Sequence, residues 1–128
     1  MTLFQDDFGT ITHDTAHNIL TLTWSPQTAD MSDEDFQRSN LALAIFADEH
    51  KVQHLIVDVE HFAHQFGPEL GSWRNRNILP IYARAGVSKM AFVHGTGFNG
   101  PREGGMPGES FVTHHYASLD EAMRWLLA

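Results

Sequence analysis

Residues 54–59, His54-Leu55-Ile56-Val57-Asp58-Val59, form a near-continuous apolar run in the middle of the chain. A strand with one wet face alternates apolar and polar side chains. A strand without that alternation is covered on both faces, as in the interior of an α/β sheet. Lys89-Met90-Ala91-Phe92-Val93-His94 repeats the pattern and reads as a second central strand. Two such strands need helices to cover them, and the intervening sequence supplies helical patterning.

Upstream, Thr10 to Trp24 reads as a hairpin. Phe8 to Thr12 is a short strand, Asp14 to Asn18 supplies turn residues, and Ile19 to Trp24 is rich in β-branched and aromatic side chains. A helix follows. Ser32 is its N-cap, and Asp33, Glu34 and Asp35 put carboxylates at the positive end of the helix dipole. Phe36, Asn40, Leu43 and Ala47 define its inner face, and Leu41 and Ile45 widen the apolar stripe. That stripe suits a helix packed broadly on a sheet, or one whose second edge meets another subunit.

After the first central strand, Phe62 to Phe66 is loop by composition. A second helix opens at Gly67-Pro68-Glu69 and closes at Ala85-Gly86, with Pro80 expected to kink or split it. Gly95 to Gly108 is a glycine- and proline-rich loop, read as a mobile flap or partner-binding segment. Glu109 to Tyr116 is expected to form a short edge strand. Ser118-Leu119-Asp120-Glu121 matches a capping box and opens a last helix, with Ala122, Met123, Trp125 and Leu126 facing inward. The order β-β-α-β-α-β-(β)-α predicts a mixed sheet with right-handed crossovers. With 128 residues and 42% hydrophobic side chains, the whole chain, 1–128, is expected to form a single domain.

Composition narrows the function. There is no cysteine, which excludes disulfides, thiolate metal sites and cysteine nucleophiles. Eight basic residues stand against sixteen acidic ones, a net charge of −8, with Lys51 and Lys89 the two lysines. Nucleic acids and anionic membranes call for positive surface, so neither is an expected partner. No run approaches the roughly 18 apolar residues of a membrane span. The acidic N-terminus lacks the features of a signal peptide, which places the protein in the cytoplasm by default.

No cofactor motif is present. Gly95-Thr96-Gly97-Phe98-Asn99-Gly100 matches G-x-G-x-x-G literally, but Pro101, Gly104, Gly105 and Pro107 follow where a pyrophosphate-binding helix would have to start. Histidine is over-represented, with nine residues. His61 and His64 leave the end of one central strand and His94 ends the next. Strand ends share one rim of an α/β sheet, so the three are candidate neighbours and a candidate metal-ligating set, with Asp58 or Glu60 as a further ligand. The competing reading is scattered surface histidine. Trp73, Arg74, Arg76, Tyr82 and Arg84 concentrate basic and aromatic side chains on the second helix, where an arginine fork suits a carboxylate or phosphate. The competing reading there is a solvated helix face with Trp73 in the core. No serine–histidine–acid set or acid/base carboxylate pair stands out.

The hairpin ending Leu22-Thr23-Trp24, the strand Leu55-Ile56-Val57-Asp58-Val59, Trp73 followed by Leu79-Pro80, the stretch Ala85 to Val93 and the closing Ser118 to Leu126 together resemble the STAS superfamily. The likeness is greatest to its stand-alone SpoIIAA-like bacterial members. The resemblance implies an α/β domain with a mixed four- to five-stranded sheet and helices packed mainly on one side. It implies binding or regulation, with a protein partner or a small hydrophobic ligand, and allows a homodimer. Antagonist members of that superfamily switch on a phosphorylated serine or threonine after the central strand. Here Asp58 to Glu69 contains neither residue, and the nearest, Ser72, lies within the helix. The expected function is therefore a STAS-like binding or regulatory module without that switch, the alternative being a histidine-based metal-binding protein or small metal-assisted enzyme.

Overall fold

The fold was obtained as a computed structural model, which describes residues 1–65 and 67–128. The elements run β1 (Thr2–Gln5), β2 (Gly9–Asp14), β3 (Ile19–Trp24), a 3-10 turn (Pro26–Asp30), α1 (Asp33–His50), β4 (His54–Asp58), α2 (Pro68–Asn77), α3 (Leu79–Ala85), β5 (Lys89–Val93), β6 (Val112–Tyr116) and α4 (Leu119–Leu126). The strands form one sheet in chain order, β1-β2-β3-β4-β5-β6. β1, β2 and β3 pair antiparallel, and β3 to β6 pair parallel. The sheet is mixed, as expected, but has six strands rather than four or five. The unforeseen strand is β1, a half-exposed edge broken by an irregularity between Thr2 and Phe4. An edge strand needs no apolar run, so its composition carried no signal.

Topology explains the layers. The crossovers β3-α1-β4 and β4-α2-α3-β5 advance across the sheet in the same direction. Right-handed crossovers of that kind put their helices on one face. On that face Leu20, Leu22, Leu55, Val57 and Met90 pack with Leu43, Ala44 and Ala47 of α1 and with Ile78 and Tyr82. α4 follows the last strand, closes no crossover and is free to take the other face. There Ile56, Ala91 and Val93 pack with Tyr116, Ala122 and Leu126. The central run is apolar because β4 faces both layers.

Local chemistry sets the element ends. Ser32 and Asp35 form a full capping box at α1, with Asp35 N–H donating to Ser32 Oγ at 3.1 Å and Ser32 N–H to Asp35 Oδ2 at 3.1 Å. The second predicted helix is split into α2 and α3 at Ile78, with Pro80 in the first turn of α3, where its missing N–H costs nothing. Gly86 ends α3 at φ 92°, a left-handed conformation that glycine takes without steric penalty. At α4, Glu121 N–H donates to Ser118 Oγ, while the Glu121 carboxylate accepts from the Ser118 hydroxyl rather than from its backbone N–H. The edge strand is shorter than expected and leaves Glu109 outside it. Of the Phe62 to Phe66 stretch, Phe66 lies outside the described residues.

Candidate functional site

The carboxyl ends of the parallel strands open under the helical layer, where ligands commonly bind in α/β sheets. A cavity of about 460 Å³ lies there, within the roughly 300–1,000 Å³ of small-molecule sites. Val57, Met90 and Phe92 of the sheet form its floor. Phe36 and Asn40 of α1, with Trp24 and Phe62, form one wall. Leu70, Arg74 and Tyr82 form the other. Gly104, Gly105, Met106 and Glu109, from the segment between β5 and β6, form the roof.

The aromatic wall is built by sequence-distant contacts. Trp24 stacks on Phe36 with ring centroids 5.7 Å apart and meets Phe62 edge-on at 5.2 Å. Such geometry follows the ring quadrupoles and keeps flat apolar surface turned to the cavity.

The roof is latched at two points. Arg74 Nη1–H donates to Glu109 Oε2 at 3.0 Å, with the Glu109 side chain 4% and the Arg74 side chain 16% exposed. Glu109 Oε1 accepts from Met106 N–H at 3.1 Å and from Thr113 Oγ1 at 2.9 Å. A Cβ at Gly105 would lie 2.5 Å from Glu109 Oε1, so any larger residue there would displace this carboxylate from its partners. The second latch is a relay of rings. His115 N–H donates to Arg102 O at 2.6 Å and its Nε2 lies 2.8 Å from Gly104 O. A carbonyl only accepts, so His115 carries its proton on Nε2 and its Nδ1 accepts from His94 Nε2–H at 2.8 Å when both rings are neutral. Phe98 stacks on His94 at 4.2 Å and Phe92 on His115 at 5.3 Å, which holds both rings in place. The loop also bonds back along the outer edge of β6 through Gly104 N–H to Thr113 O at 3.2 Å, which protects an otherwise open strand.

Burial pushes the Tyr82 hydroxyl far above the ordinary tyrosine range, against the opposing charge effect of Arg74 and with that of Glu109. Burial first, and the neighbouring His115 second, holds His94 below the ordinary histidine range. Both groups are therefore neutral near pH 7, in keeping with an apolar site.

Of the residues singled out from the sequence, Arg74, Tyr82 and His94 line the cavity. Trp73 is half-buried against the same core but not on the cavity, and Arg76 is exposed. The expected histidine grouping needs correction. His94 pairs with His115, whereas His64 Nε2 lies 2.8 Å from Asp33 Oδ1 and its ring stacks on Phe36. His61 is exposed. Among the described residues no group of three or more His, Asp or Glu side chains could hold a metal ion. The rim brings strand ends together, but His64 meets Asp33 and Phe36 of α1 while His94 meets His115 of β6.

Sequence reasoning missed Trp24, Phe62, Glu109 and His115. Glu109 had one legible signal, as an acid that ends the uncharged run Gly104-Gly105-Met106-Pro107-Gly108. No helix follows Gly95 and Gly97, which take left-handed backbone within a loop instead of cradling a phosphate. No helix among the described residues is long and apolar enough to cross a membrane. No family model, no curated protein and no solved structure matches this chain.

Proposed function

We propose that this protein is a STAS-like binding module whose ligand is a small, mainly apolar molecule held in the cavity under the Gly95 to Phe111 segment. One observation carries the reading: a ligand-sized, mainly apolar cavity of about 460 Å³ opens beside the hydrophobic core. An apolar concavity of that size with a few polar groups at one end is the usual form of a small-molecule site. The mixed sheet with α1, α2 and α3 on one face supports the STAS-like part of the proposal. The absence of a serine or threonine between Asp58 and Glu69 argues for ligand occupancy, rather than phosphorylation, as the signal.

Titration with the apolar fluorophore phenylnaphthylamine tests the reading. Saturable binding at one molecule per chain, with a rise in melting temperature as ligand increases, is the expected result. No saturable binding to the folded wild-type protein would overturn it.

A further inference from the structure

We infer that the ligand carries a neutral oxygen acceptor, a carbonyl, seated against the Arg74 guanidinium and the Tyr82 hydroxyl at the latched end of the cavity. The inference rests on the cavity reading above and specifies its chemistry.

The polar groups at this end are counted from their hydrogen bonds. Glu109 spends both oxygens, Oε2 on Arg74 and Oε1 on Met106 N–H and Thr113 Oγ1. Thr113 spends its hydroxyl proton on the same carboxylate. Arg74 has five N–H donors. One goes to Glu109, and Nη2 makes only a 4.0 Å contact with the Met90 sulfur. Tyr82 is 1% exposed, and among the described residues its hydroxyl has no hydrogen-bond partner. Neither group is sealed off, since the partnerless buried side-chain atoms among the described residues are Asp6 Oδ2 and Ser39 Oγ. The unspent donors of Arg74 and Tyr82 therefore open on the cavity that both residues line. That corner offers donors, and a ligand oxygen is the complement that satisfies them.

Charge decides between a carboxylate and a carbonyl. Glu109 already neutralises Arg74 at 3.0 Å in a largely buried pair. A ligand carboxylate would bring a second negative charge beside Glu109 without a second cation, and the chain as a whole carries −8. A carbonyl accepts the same donors without that repulsion.

A matched set of naphthalenes tests this at pH 8 by calorimetry: isopropylnaphthalene, methyl naphthyl ketone and naphthoate, which share the ring and differ in the oxygen. The ketone is expected to bind tightest. Tyr82→Phe, which removes only the hydroxyl, is expected to weaken the ketone about 3- to 10-fold and leave isopropylnaphthalene unchanged. Circular dichroism of the variant confirms its fold, and Arg74→Lys, which keeps the charge opposite Glu109 but loses the fork, is expected to weaken the ketone selectively as well. If isopropylnaphthalene binds and the ketone binds no tighter, the carbonyl inference fails while the cavity reading stands. If naphthoate binds tightest, the neutral class is wrong. If none of the three binds, the cavity reading fails and takes this inference with it.

Discussion

Replacing Gly71 with leucine puts a side chain into the space assigned to the ligand. Gly71 lies in α2, lines the cavity, and an added Cβ would meet nothing within 4 Å. Three terms set the size of the effect. Removing a glycine from a helix interior gains about 1 kcal/mol. A fully buried leucine side chain gains about 1.5–3 kcal/mol, and Gly71 is half-buried, so about 1–2 kcal/mol applies. Freezing the rotamer costs about 0.5–1 kcal/mol. The net is a stabilisation of about 2 kcal/mol, or roughly 5–10 °C in melting temperature for a chain of this length. Gly71→Ala separates the terms, because it keeps the helix gain of about 1 kcal/mol and fills almost nothing. Urea denaturation of wild type, Gly71→Ala and Gly71→Leu measures all three, and phenylnaphthylamine binding is expected to fall more than tenfold in Gly71→Leu alone. A leucine variant less stable than the alanine variant would mean that the space does not exist, and a stable leucine variant with unchanged binding would move the ligand elsewhere.

Other consequences follow from the latches and the backbone. Glu109→Gln leaves the Arg74 charge unpaired in a largely buried position and is expected to cost about 2–4 kcal/mol, the lower end reflecting the residual exposure of Arg74. Hydrogen exchange of residues 102–109 should accelerate relative to the sheet, and unchanged exchange would refute the latch. Stability is expected to fall as pH drops below about 6.5. Burial and then His115 depress His94, and burial and then Lys89 depress His54, so the unfolded chain takes up protons first, and stability present above the unfolded value is lost as pH falls through the folded ones. Urea midpoints at successive pH values should show a shallower loss in His94→Gln, and an equal slope would refute the assignment. Gly86→Ala is expected to cost about 1 kcal/mol from its positive φ alone, since the added methyl meets nothing within 4 Å, and a neutral thermal melt would contradict the left-handed cap.

Much of the architecture was legible along the chain because it depends on near neighbours. The absence of alternation marked β4 and β5, where a side-chain period of two reports which faces are covered, and β-branched and aromatic content marked β3. Ser32 and Ser118 as helix starts, Pro80 as a break and Gly86 as a stop each act within one turn of backbone, so their residue types suffice. β1 was not legible, because an edge strand that buries little is specified by its pairing with β2 rather than by its own composition.

The site divides along the same line. Arg74 in α2 and Tyr82 in α3 lie close in sequence, and the basic and aromatic concentration on the two helices drew attention to both without tertiary information. What that concentration could not supply was the partner. Glu109 stands 35 residues from Arg74, and His115 stands 21 from His94. Which acid neutralises the arginine, and which ring orients the histidine, depends on where the loop after β5 returns. Sequence by itself determined the layers, the helix limits and the residue types near the rim, because short-range sterics and hydrophobic period are written locally. Only the tertiary structure decided that those residues line a cavity and that the Arg74 charge at its end is neutralised in the latch, because a cavity is space between elements and no single segment encodes it.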